Sequence, residues 1–84
     1  MLEEILEYYP DETFLKADGF DDAVIGIEIA DPMRLIYSVK RVIEILITDD
    51  EMSLEDALEH FEYNIRCSYV GDQNPIWCDD MYEL

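Results

Sequence analysis

A small α+β domain is the fold this sequence predicts, and three observations predict it. Residues 23–29, AVIGIEI, alternate in the manner of a half-buried strand. The turn residues Asp31 and Pro32 follow, with the apolar run MRLIY behind them. Downstream, VKRVIEILITDD and SLEDALEHFEYNIR carry apolar residues at helical spacing. The expected architecture is a short antiparallel β-sheet made of a hairpin at 23–37 and a third strand at 76–78, packed against two to three helices. Residues 1–84 form a single small acidic domain.

Each element has a local reason. In MLEEILEYY the residues Leu2, Ile5, Leu6 and Tyr9 fall at i, i+3, i+4 and i+7, one helical face, and Pro10 ends the helix. The segment DETFLKADGFDD is loose. In the first strand Ala23, Ile25, Ile27 and Ile29 are expected on one side, with Val24, Gly26 and Glu28 on the other. A hairpin loop of about three residues leads into the second strand. Ser38 suits an N-cap for a helix whose face is Val39, Val42, Ile43 and Leu46, widened by Ile45 and Ile47. Ser53 with Asp56 or Glu55 resembles a capping box, and Leu54, Ala57, Leu58, Phe61 and Ile65 form the face of the next helix. The short DDEM connection favours an antiparallel helical hairpin. Gly71, Asn74 and Pro75 then turn the chain back as the apolar segment 76–78.

Charge is distributed unevenly along the chain. Residues 1–22 hold eight acids and one base, residues 23–47 three of each, and residues 48–84 eleven acids and one base, for a net charge of −17. Half of the residues are apolar, enough to fold despite that charge. A chain this short buries only about 60–65% of its unfolded surface, so its core is thin and self-association is an alternative source of stability. The acidic surface repels phosphate and anionic lipid, which argues against direct binding of nucleic acid or membrane and for basic proteins or cations as partners. The opening residues carry glutamates where a signal peptide is cationic, and no apolar run approaches the ~20 residues of a membrane span. Two cysteines, Cys67 and Cys78, without framework spacing are expected to be free thiols in a reducing cytoplasm.

The stretches DGFDDAVIG with RLIYSVKRVIEIL, and MSLEDALEHFEYNIRCSYVGDQNPIWC, together resemble a family of small uncharacterised proteins of tailed bacteriophages and marine metagenomes. The resemblance covers roughly residues 17–78. Asp18, Gly19, Phe20 and Asp21 match its aspartate-glycine-aromatic-aspartate start, and Gly71 and Pro75 match its glycine after YV and its later proline. Arg66 and Cys67 depart from it, standing where small residues are common, as does the acidic N-terminal helix. The resemblance implies a phage-encoded protein of the host cytoplasm and carries over no catalytic residue.

The chemistry-bearing residues divide into four groups. Asp18, Asp21, Asp22 and Glu28 supply oxygens of the kind calcium or magnesium takes, at a spacing unlike an EF-hand loop. The plainer reading is that Asp18-Gly19 turns the chain, Phe20 plugs the core, and Asp21 and Asp22 sit in water. His60 and Cys67 are separated by about 10 Å of helical rise, too far for a nucleophile and its base, and His60, Cys67, Cys78 and Asp79 lack zinc-finger or ribbon spacing. Carboxylate pairs carry no signal among 22 acids, and a domain of this size is expected to have little room for a pocket of ~300 Å³ or more. Finally, Glu55, Glu59 and Glu62 line the acidic face of the third helix, and Tyr69, Trp77 and Tyr82 supply aromatic surface. Glu55, Glu59, Glu62 and Trp77 are the candidate partner contacts. The structural alternative has Tyr69 and Trp77 covering the core and Tyr82 dangling.

The expected function is a non-enzymatic phage accessory or host-interaction protein that needs no cofactor and binds a host protein with a basic surface, one form of this being mimicry of nucleic acid. The alternatives are a small metal-dependent enzyme or metal-binding module using Asp18, Asp21, Asp22 and Glu28, and a self-associating structural subunit.

Overall fold

The computed structural model describes residues 1–66 and 74–82. In chain order the elements are α1 (Leu2–Tyr8), a 3₁₀ turn (Asp21–Ala23), β1 (Val24–Ile27), β2 (Leu35–Ser38), α2 (Val39–Asp49), α3 (Leu54–His60), a π-helical turn (Phe61–Ile65) and β3 (Ile76–Cys78). The three strands form one sheet in the order β1-β2-β3. β1 and β2 are the antiparallel hairpin, whereas β3 joins β2 in parallel, pairing Ile36 with Ile76, Tyr37 with Trp77 and Ser38 with Cys78. The fold is therefore α+β with a mixed sheet. Its third strand runs parallel because two helices separate it in sequence from β2, and such a crossover can return the chain in the same direction. Among the described residues no helix is long and apolar enough to cross a membrane.

The first strand differs from simple alternation for a local reason. Val24 pairs with Tyr37 and Gly26 with Ile36, so Ile25 is an extra residue, a β-bulge that reverses the parity of the strand. Val24 is consequently buried at 1% exposure on the same face as Ile27, whereas Ile29, expected inward, lies past the end of the strand in the hairpin loop and stands in solvent at 88%. Ala23 remains in the core from the 3₁₀ turn, and Ile27 packs against its edge. The hairpin loop is also longer than expected. The Glu28 N–H donates to the Arg34 carbonyl at 2.8 Å, and five residues, 29–33, lie between them, with Asp31-Pro32 in the cis form. Arg34 grips the Glu28 carboxylate with two bonds, 3.2 Å from Nε and 2.9 Å from its terminal nitrogen, clamping the loop base.

Helix α2 packs on β2 and on α3 and supplies the centre of the core, with Val42, Ile43 and Leu46 at or below 2% exposure. Its N-cap is the expected one: the Ser38 Oγ accepts from the Arg41 N–H at 3.1 Å. Ser53 likewise caps α3, accepting from the Asp56 N–H at 3.2 Å. The apolar face of α3 is narrower than its sequence suggests. Ala57 and Phe61 are buried, whereas Leu54 and Leu58 are 53% and 40% exposed. Beyond His60 the Arg66 N–H bonds the Phe61 carbonyl, five residues back, and this wider turn leaves Ile65 against the core. α1 buries Leu2 and Ile5 beside β1, while Leu6 is 38% exposed.

The stretch DGFDD is a turn. The Phe20 N–H donates to the Ala17 carbonyl at 3.2 Å, and Gly19 has φ +88°, the left-handed conformation a type II turn needs in its third place. Phe20 is half-buried against the edge of the core and does not plug it. The turn is held from beneath, because the Ala17 N–H donates to the hydroxyl of the fully buried Tyr37 at 2.9 Å.

Candidate functional site

The carboxylates considered for a metal are not assembled into a site. Asp18 lies in the turn and Asp21 and Asp22 open the 3₁₀ turn, all three exposed, while the Glu28 carboxylate is engaged by Arg34. Among the described residues no three His, Cys, Asp or Glu side chains group as metal ligands do. Cys67, Tyr69 and Gly71 lie outside the described residues. Cys78 is a free thiol on β3, and the His60 Nδ1 sits 3.3 Å from the Asn64 amide nitrogen on α3 and its π-helical extension.

The partner candidates, by contrast, are brought together on one side of the molecule. Glu55, Glu59 and Glu62 are exposed along α3 and the turn that extends it. Trp77 stands on β3, its ring 5.2 Å from that of Tyr37 and 5.5 Å, edge to face, from that of Phe61. Such aromatic pairs add to the burial energy and fix the indole plane. Trp77 thus covers the core as its apolar character suggests, and Tyr82 is exposed at 74%. The Trp77 Nε1 is shielded from solvent and has no hydrogen-bond partner among the described residues.

Between this tryptophan and α3 lies an open cleft of about 520 Å³. Phe61, Trp77 and Val39 form its floor, Leu58 and Met81 its apolar shoulders, and Glu59, Glu62, Asp79 and Arg66 its rim. Arg66 and Glu62 form an ion pair at 2.6 Å, four residues apart on the helical surface. A second, shallower cleft of about 600 Å³ lies against Met52, Asp56, His60 and Tyr63, and Glu59 borders both. Concave space is therefore larger than the size of the domain suggests.

Two contributors were not legible as such. Leu58 reads as core from its spacing, yet it is the wall of the cleft. Asp80 reads as part of a loose acidic tail, yet it clasps the start of α2, accepting from the Ser38 hydroxyl and, at 2.9 Å, from the Lys40 N–H. Burial by itself pushes the Asp80 carboxyl up, but the bonds from Ser38 and Lys40 and the nearby Lys40 charge outweigh it and hold the carboxyl below its ordinary range. This clasp sets Asp79 and Met81, on either side of it, at the cleft.

Fold and surface together define a small acidic α+β domain with an aromatic-floored cleft beside the acidic helix α3. No protein-family profile, curated protein or solved structure matches the chain.

Proposed function

We propose that the protein acts without catalysis, by presenting its acidic surface to a partner protein that is basic, in the setting the phage resemblance implies: the cytoplasm of a host cell. The observation that carries this reading is the exposed row Glu55, Glu59 and Glu62 on α3, in a chain with 22 acids against five lysines and arginines. A field of that sign steers basic surfaces inward and repels nucleic acid itself, as a mimic of nucleic acid must. Arg34 and Arg66, two of the few cations, are paired with Glu28 and Glu62, so each cancels one carboxylate and the field toward a partner comes from the remaining acids, Glu55 and Glu59 of the row among them.

Affinity capture from bacterial lysate tests it at about 0.1 M and about 1 M salt, between which the screening length falls from ~10 Å to ~3 Å. A basic protein retained at the lower salt and released at the higher is the expected result. Retention of no protein, together with a concentration-dependent increase in mass of the chain alone, would replace this reading with self-association.

A further inference from the structure

We infer that the Phe61–Trp77 cleft is the docking site, and that it takes a lysine or arginine side chain from a basic segment of the partner. The inference rests on the reading above and locates it. A long cationic side chain has two unlike parts: an aliphatic stem that gains from apolar contact and a charged head that stays at the water boundary. The cleft has the complementary two parts. Its floor and shoulders are Phe61, Trp77, Leu58 and Met81, and its mouth carries the carboxylates of Glu59 and Asp79. The two shoulders are 40% and 39% exposed, which leaves apolar surface uncovered beside the charges.

Neither part alone selects this occupant. An aliphatic side chain would bring no charge to the carboxylates, and a small inorganic cation would leave the aromatic floor unused. A guanidinium or ammonium near the indole gains further from the ring face. The glutamate on the next turn, Glu62, is already paired with the Arg66 guanidinium at 2.6 Å, so Glu59 and Asp79 are the rim carboxylates that meet an incoming cation. With about 520 Å³ available, the cleft lies within the range of small-ligand pockets and is open enough to admit a side chain from an extended chain.

Trp77 is the one tryptophan of the sequence and lines this cleft, so its fluorescence reports binding there, and the carboxylate variants below separate this cleft from the hollow beside Phe20 and Pro75 that the same ring borders. The probe is acetyl-hexaarginine amide, titrated into the full chain at about 0.15 M salt, where charges more than ~8 Å away are largely screened. Saturable binding with a change in tryptophan emission is expected. The double variant Glu59→Gln, Asp79→Asn should weaken it by roughly two- to thirtyfold, the loss of two solvent-exposed ion pairs. The variant Glu3→Gln, Glu4→Gln removes the same charge from α1 and should weaken it less than about twofold. Equal weakening by both pairs would overturn the docking site while leaving a diffuse acidic attraction intact. Absence of binding to hexaarginine even at about 0.01 M salt, where the screening length grows to ~30 Å and charge attraction is strong, would overturn the wider reading as well. Should the first pair alter the circular dichroism spectrum, the indole N–H resonance of the unaltered chain decides instead. Its displacement by the peptide supports the site, and its constancy while other resonances move refutes it.

Discussion

Glu51 has φ +57°, the left-handed conformation, at the junction between α2 and α3. A side chain there crowds the backbone at a cost of roughly 1 kcal/mol, which glycine avoids. Glu51→Gly is therefore expected to stabilise the protein by about 0.5–1 kcal/mol, read as a rise in the urea midpoint, with relief of acidic repulsion acting in the same direction; a fall would show that the side chain is needed. Tyr37 presents the opposite case, a residue whose polar tip is already well used. Burial raises its phenol above the ordinary 10.0, the bond from Ala17 lowers it somewhat, and the charges of Asp21 and Asp18 add to the rise. The folded state thus holds the phenolic proton more tightly than the unfolded chain does. The stability it contributes is complete below pH 10.0 and is lost as the pH climbs through the folded value. Tyr37→Phe should cost about 1–2 kcal/mol by orphaning the Ala17 N–H, and should remove this alkaline loss. Melts between pH 8 and 11 would expose a contrary result, an unchanged pH profile.

At the scale of elements, α2 is the best-supported helix, because its start is capped twice. Ser38 is local and legible, whereas Asp80 arrives from the far end of the chain. A carboxylate at a helix N-terminus satisfies free N–H groups and suits the dipole. Asp80→Ala is expected to cost about 0.5–2 kcal/mol, the range for loss of an N-cap. Because the folded carboxyl is held below its ordinary 3.8, its contribution is present above that pH and fades as the pH falls through the lower, folded value. Acid denaturation of the variant should accordingly begin from lower stability yet fall less steeply below pH 3.8. Parallel acid titrations would contradict the clasp. The hairpin shows a different balance, since β1 offered the clearest alternation in the sequence and yet one bulge at Ile25 brought Val24 to the core together with the expected Ala23 and Ile27.

For the whole molecule, the decisive element is the shortest. β3 has three residues, yet it completes the sheet beside β2, lays Trp77 over Tyr37 and Phe61, and leads into the Asp80 clasp. Burying much of an indole contributes a few kcal/mol, a large share of the ~5 kcal/mol total plausible for such a domain. A chain ending at Gly71 is therefore expected to be unfolded, and one ending at Asp80 to melt cooperatively near the full-length temperature. Circular dichroism melts decide this; a cooperative melt from the shorter chain would remove β3 from the core.

By itself the sequence determined whatever follows from neighbours a few residues apart. The helical faces around Val42, Ile43 and Leu46, the caps at Ser38 and Ser53, the turn at Gly19 and the strand character of segments 24–27 and 76–78 are all set by local sterics and short-range hydrogen bonds. The acidic row Glu55, Glu59 and Glu62 was legible for the same reason, as a period along one helix. Only the tertiary structure decided that β3 lies parallel to β2, that Leu58 and Met81 flank a cleft, and that Asp80 belongs to α2. Those outcomes depend on contacts between residues some twenty to forty positions apart, and spacing within a segment carries no information about which distant segment will cover it.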